Sequence, residues 1–293
     1  MVRPAGVQLA VHDLGGRGPT LVMVHATGLH GRVWAPVARH LTGCFHCLAP
    51  DVAGHGESPR AEAGPGQDGL LEAMAWPRLA ADLLAAVEVS GPPPVFGLGH
   101  SLGASLLLLA EEARPGTFAG LYCIEPIGVS TDEPPPPDPG HPMAARAAAR
   151  RDGFASREAA RAAYSAKPPF SSVDPAALAA YVEHGFVDTD NGEVRLRCRP
   201  ADEAAVFAQG LSHPVYRDLG RIAAPVLLAV GSTSSAVTPV TMVAWAARLT
   251  RGRVAVLEGL GHFAPLEDPA GAAAAVAAAA GAWLSQPGST LAP

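Results

Sequence analysis

The sequence predicts an α/β protein: a mostly parallel sheet with helices on both faces and an inserted helical segment. Three observations predict it. Short apolar runs of strand length alternate with longer segments of helical spacing at both ends of the chain. Those runs end in loops rich in Gly, His, Ser and Glu, which is where an open parallel sheet collects its reactive groups. Residues 127–215 break the alternation, with a four-proline run at 134–137 and short helical patterns but no convincing parallel strand. The expected organisation is therefore a core from residues 1–126 and 216–293, with 127–215 as a helical cap.

In order, residues 7–14 alternate loosely and end in a Gly-rich turn, so they read as a strand. Residues 20–24 form an apolar strand running into His25-Ala26-Thr27-Gly28, and residues 34–41 then follow helical spacing through Trp34, Val37, Ala38 and Leu41. Residues 45–50 make a strand that enters Asp51-x-x-Gly54-x-Gly56-x-Ser58, and 76–89 are an amphipathic helix with Pro77 at its start. A strand over 95–98 meets a helix over 104–112, and 119–124 is a strand ending at Glu125. After the insertion, 225–230 and 253–257 resume the strand pattern, and Asp268-Pro269 starts a final alanine-rich helix.

The chain has 293 residues, 48% of them hydrophobic, and a net charge of −6, so it can bury a large core and has no electrostatic case for nucleic acid. The N-terminus lacks an apolar stretch of signal-peptide length, and the longest apolar runs (102–110 and 270–284) are too short to span a bilayer. The expectation is a soluble cytoplasmic protein with no membrane or nucleic-acid partner. It acts on a small molecule, with a homo-oligomer left open. Cys44-x-x-Cys47 has metal spacing but no second pair to complete a site, so Cys44, Cys47, Cys123 and Cys198 are expected as buried structural thiols. No metal or organic cofactor is implied.

The junction Gly99-His100-Ser101-Leu102-Gly103 organises the rest. A strand that turns this sharply into a helix forces its central residue into strained dihedrals, and the flanking glycines remove the Cβ atoms that would collide. Serine needs a base, and His262 sits in a loop after the last strand, where an imidazole can reach over the sheet.

With these pieces in hand, the chain resembles the α/β-hydrolase superfamily over nearly its whole length outside 127–215, which implies a sheet of the eight-stranded type. The matching motifs are Val24-His25-Ala26-Thr27-Gly28, Asp51-x-x-Gly54-x-Gly56-x-Ser58, Gly99-His100-Ser101-Leu102-Gly103 and Gly261-His262-Phe263. The first departs from the family's usual His-Gly. The resemblance implies that Ser101 attacks a carbonyl with His262 as base, and that the backbone N–H groups of Leu102 and Thr27 form the oxyanion hole, Ala26 being the alternative donor. It also implies an acid in the loop after the 225–230 strand, but Gly231-Ser232-Thr233-Ser234-Ser235-Ala236-Val237-Thr238-Pro239 contains no carboxylate. Either the triad is broken or its acid has moved. Some members, haloalkane dehalogenases among them, carry the acid at the strand end that Glu125 occupies here, so Glu125 is the expected acid and Ser234 is expected to be dispensable. A serine at 101 excludes the aspartate-nucleophile chemistry of dehalogenases and epoxide hydrolases of this fold. His55 and His100 are expected to pack or to support, and the Asp51-to-Ser58 motif to hold a turn.

The expected function is a serine hydrolase of carboxylic esters on small or medium, partly apolar substrates. A thioesterase or carbon–carbon bond hydrolase with the same triad is the alternative, as is a lyase, cyclase or binding protein that has lost hydrolysis. Residues 141–221 hold 11 of the 21 Lys and Arg residues, which reads as a solvated helix face or as a surface for an anionic substrate. Phe154, Tyr164, Phe170, Tyr181, Phe186 and Phe207 are the aromatic residues from which a pocket could be lined.

Overall fold

The computed structural model describes residues 8–284. Seven strands form the main sheet: β1 (Val11–Gly16), β2 (Thr20–Val24), β3 (His46–Pro50), β4 (Val95–His100), β5 (Phe118–Ile124), then β9 (Val226–Gly231) and β10 (Gly252–Leu257). The intervening β6 (Gly153–Phe154), β7 (Phe186–Asp188) and β8 (Val194–Leu196) make a separate small sheet. The main sheet runs β1-β3-β2-β4-β5-β9-β10. Only the β1–β3 pairing is antiparallel. The sheet is mostly parallel, as the expected fold class requires, with seven strands of the eight-stranded type among the described residues; Val7, read as the start of the first strand, lies outside the described residues.

Alternation along the central strands sends side chains to two cores. Leu21, Met23, Phe96, Leu98, Tyr122 and Ile124 pack on one face. Val22, Val24, Val95, Leu121 and Cys123 pack on the other. Strands covered on both faces are continuously apolar, as the fully buried β4 shows. The helix Leu102–Ala113 is buried through its first ten residues and sits between the sheet and the helix Trp76–Ser90. An apolar surface all round is what such a central helix needs.

Parallel pairing aligns the strand ends. Val24 lies opposite Gly99, and His100 opposite Ile124. Hence the loops beginning at His25, Ser101 and Glu125 leave from one edge. Gly231, at the end of β9, pairs with Leu257, at the end of β10, and adds the loops carrying Ser234 and His262 to the same edge.

The chain between β5 and β9, read as helical with no convincing parallel strand, also carries short antiparallel strands. It holds the helices Pro142–Ala148, Arg157–Ser165, Pro175–His184 and Pro200–Phe207, together with the antiparallel sheet β6-β8-β7. Its strands are two or three residues long, too short to leave a period in the sequence. A turn over residues 189–193 connects β7 to β8, with Gly192 at φ 80°. Cys47, Cys123 and Cys198 are buried as expected, but Cys44 is exposed, because it lies in the turn that precedes β3. No helix among the described residues is long and apolar enough to cross a membrane.

Candidate active site

Ser101 stands between β4 and the helix Leu102–Ala113 with φ 53° and ψ −115°. Its neighbours explain why the turn has the sequence it has. A Cβ on Gly99 would lie 2.6 Å from the backbone of Ala104, and one on Gly103 would lie 2.2 Å from the carbonyl oxygen of Val24. Neither contact is tolerable, so both glycines are steric requirements. The Ser101 N–H donates to the Ile124 carbonyl at 2.8 Å, which ties the turn to the end of β5. The following N–H, that of Leu102, opens the helix and has no carbonyl partner within it.

Glu125 is the next residue after β5 and is wholly buried, with φ 49°. Ser101 and Glu125 are the two non-glycine residues with positive φ among the described residues. The Glu125 carboxylate accepts three hydrogen bonds: from the Gly231 N–H at 2.9 Å, from the Ser234 hydroxyl at 2.7 Å and from the His262 Nδ1 at 2.5 Å. His262 and Ser101 both line one cavity. The structure thus brings together the three residues singled out as nucleophile, base and acid. Ser234, whose replacement by alanine was expected to do little, donates to the same carboxylate oxygen as His262. Its loop carries no acid of its own, yet its position at the end of β9 places a hydroxyl where it meets the Glu125 side chain.

The loop after β2 lines the cavity through Ala26, Thr27, Gly28 and Leu29. His25 shapes it from beneath. The Val52 N–H donates to its Nε2 at 2.9 Å, so the ring proton sits on Nδ1 and donates to the Ala26 carbonyl at 2.8 Å. Burial pushes the His25 pKa down to about 3, and the ring stays neutral. His100 is equally buried, with its pKa down to about 3, and its Nε2 donates to the His262 carbonyl at 2.7 Å. Both histidines therefore act as fixed props for backbone, as expected for His100. His55 packs against His25 at 5.3 Å, with Nδ1 donating to the Ala53 carbonyl. Asp51 holds the turn that follows it: its carboxylate accepts from the N–H groups of Gly31 and Glu57 at 2.6 and 2.7 Å, and pairs with His12 at 2.8 Å. Burial opposes its charge, but these bonds and the nearby histidines together hold the carboxyl well below the usual range.

A second polar cluster was not legible in the sequence. Arg150 pairs with Glu203 at 2.6 Å and donates to the hydroxyls of Tyr164, at 2.8 Å, and Tyr181. The pair lies against Gly28, where an added Cβ would be 2.5 Å from the Glu203 carboxylate. Gly28, at φ 75°, thereby lets the loop after β2 approach the segment between β5 and β9. Arg150 and Glu203 are 53 positions apart, so no local spacing announces them. The cavity itself measures about 470 Å³ and is walled by Phe154, Tyr164, Phe170, Phe207 and Phe263. Tyr181 and Phe186, also named from sequence, lie buried behind that wall. No group of three His, Cys, Asp or Glu residues among the described residues is placed to hold a metal ion.

The profile of the alpha/beta hydrolase family matches residues 21–276. The chain belongs to the α/β hydrolase family. Two curated relatives match over part of their length, the chain spanning about two fifths of either. A pimeloyl-[acyl-carrier protein] methyl ester esterase of Methylococcus capsulatus is 35% identical over 109 residues, 37% of this α/β hydrolase and 37% of the esterase. Lipase LipV of Mycobacterium tuberculosis is 33% identical over 121 residues, 41% of this chain and 42% of the lipase. Among solved structures, E-2-(acetamidomethylene)succinate hydrolase superposes with a TM-score of 0.76 at 22% identity, covering 92% of this chain and 94% of that one. An esterase of M. tuberculosis superposes with a TM-score of 0.69 at 20% identity, covering 96% and 94%. At such identities these superpositions speak for the shared α/β hydrolase fold.

Proposed function

We propose that the protein is a serine hydrolase of carboxylic esters, with Ser101 as nucleophile, His262 as general base and then acid, Glu125 as the triad acid, and residues 127–215 as a cap over the site. The observation that carries this reading is the 2.5 Å contact between His262 Nδ1 and a buried Glu125 carboxylate, at the rim of the cavity that Ser101 lines. Esterase and lipase relatives point the same way.

In the first half-reaction the Ser101 Oγ attacks the ester carbonyl carbon as its proton passes to His262 Nε2. Glu125 stabilises the imidazolium through Nδ1–H and fixes the ring tautomer. The oxyanion accepts hydrogen bonds from the N–H groups of Leu102 and Thr27, each worth roughly 3–4 kcal/mol of barrier. Collapse returns the His262 proton to the departing alcohol and leaves an acyl-serine. In the second half, water gives a proton to His262, attacks the acyl carbon and releases the acid, restoring Ser101. A thioester would follow the same path with a thiol as leaving group.

A panel of p-nitrophenyl esters from acetate to decanoate tests the reading. Turnover by the wild type, peaking at short or medium chains and lost in Ser101→Ala, is expected. A wild type that hydrolyses none of them would count against an esterase and favour a lyase or binding role.

A further inference from the structure

The cavity wall is unevenly charged. Four basic residues line it, Arg146, Arg150, Arg151 and Lys167, against a single carboxylate, Glu203. Glu203 is already engaged by Arg150 at 2.6 Å. Three cations remain around the opening of a chain whose net charge is −6. All three are exposed, whereas Ser101 is buried. Arg151 lays its guanidinium over the Phe154 ring at 4.3 Å and donates from Nε to the Gly153 carbonyl, which orients the group and leaves its Nη atoms without a carboxylate among the described residues. Arg146 and Lys167 have no carboxylate partner among the described residues. Arg157, Arg195 and Arg199, outside the cavity, each face an aspartate. Like charges gathered at one mouth raise the local positive potential and favour an anion there.

We propose that the mouth is an anion subsite: the substrate carries an anionic group remote from its reacting carbonyl, held by Arg146, Arg151 and Lys167 while that carbonyl reaches Ser101. The aromatic wall of Phe154, Phe170 and Phe207 takes the part of the substrate between the two groups. This rests on the serine-hydrolase reading for the reacting end alone. The anion has two sources of the same chemistry, a terminal carboxylate on the acyl chain or the phosphate of a carrier arm.

Two matched pairs test it by kcat/KM: mono-p-nitrophenyl adipate against p-nitrophenyl hexanoate, and hexanoyl-4′-phosphopantetheine against hexanoylpantetheine. In at least one pair the anionic member is expected to be preferred by about tenfold or more at low salt, falling towards parity as salt screens the mouth. Which pair shows the preference identifies the source. The double variant Arg146→Glu/Lys167→Glu should collapse that ratio. Arg161→Glu, which changes the net charge outside the cavity, should leave the ratio as it is. No preference in either pair, or an equal collapse in Arg161→Glu, overturns the subsite. If no ester or thioester is turned over, the hydrolase reading fails, and calorimetry on Ser101→Ala still decides the subsite. N-benzyl adipamic acid should then bind at least several-fold more tightly than N-benzyl hexanamide, and equal binding overturns it.

Discussion

Glu125 holds a positive φ that costs a non-glycine residue of the order of 1 kcal/mol, and its surroundings hold it there. Its N–H donates to the Ala229 carbonyl at 2.8 Å, and its carboxylate accepts from Gly231, Ser234 and His262. In the proposed triad the charge is what His262 needs, so Glu125→Gln should lower kcat by roughly 10²–10⁴-fold with a smaller change in KM, measured by steady-state kinetics on the best ester of the panel. Ser234→Ala should be milder, a loss of about three- to tenfold, because it removes one donor to a charged acceptor and leaves two. Ser101, Glu125 and His262 were each legible in the sequence because each follows a recognisable strand. Ser234 was passed over because its contact spans 109 positions, and a hydroxyl in a serine-rich loop carries no pattern.

At the level of elements, the turn from β4 into the helix Leu102–Ala113 sets the position of everything else. Gly103 admits no side chain against the Val24 carbonyl, and an added Cβ would also lie 2.7 Å from the carbonyl oxygen of His25, at the root of the loop that carries Thr27. Gly103→Ala should therefore destabilise the fold by about 2–4 kcal/mol, read from the denaturant midpoint, and should depress kcat in whatever fraction still folds. The strand-and-helix alternation of the core was legible because buried parallel strands are continuous apolar runs. The segment between β5 and β9 was less so. Its β6-β8-β7 sheet is held by side chains that pack onto the core from afar, Phe154 and Phe186 among them, and not by local propensity.

On the scale of the whole molecule, burial keeps several histidines neutral. It pushes His25 and His100 down to about 3, His30 and His213 down to about 4, and His55 down as well. Their folded pKa values lie below the unfolded value of 6.5, so below pH 6.5 the unfolded chain binds more protons. Stability is then at its full value above about pH 6.5 and falls as the pH drops towards 4. Each of His25, His30, His100 and His213 contributes about 1–2 kcal/mol to the loss between pH 7 and pH 5, and His55 adds to it in the same direction. Urea midpoints across that range should fall steadily, and a flat profile would show that these rings are solvated in the folded state. None of this was legible in the sequence, where His25, His55 and His100 stood as motif letters. Their neutrality is set by packing between loops from different strands.

The account depends most on Ser101 being an activated nucleophile. Intact-mass analysis after treatment with a fluorophosphonate tests that directly. A single adduct on the wild-type protein, mapped to Ser101 and missing from Ser101→Ala, is the predicted result; an unlabelled wild type, or an adduct that persists in Ser101→Ala, would contradict it.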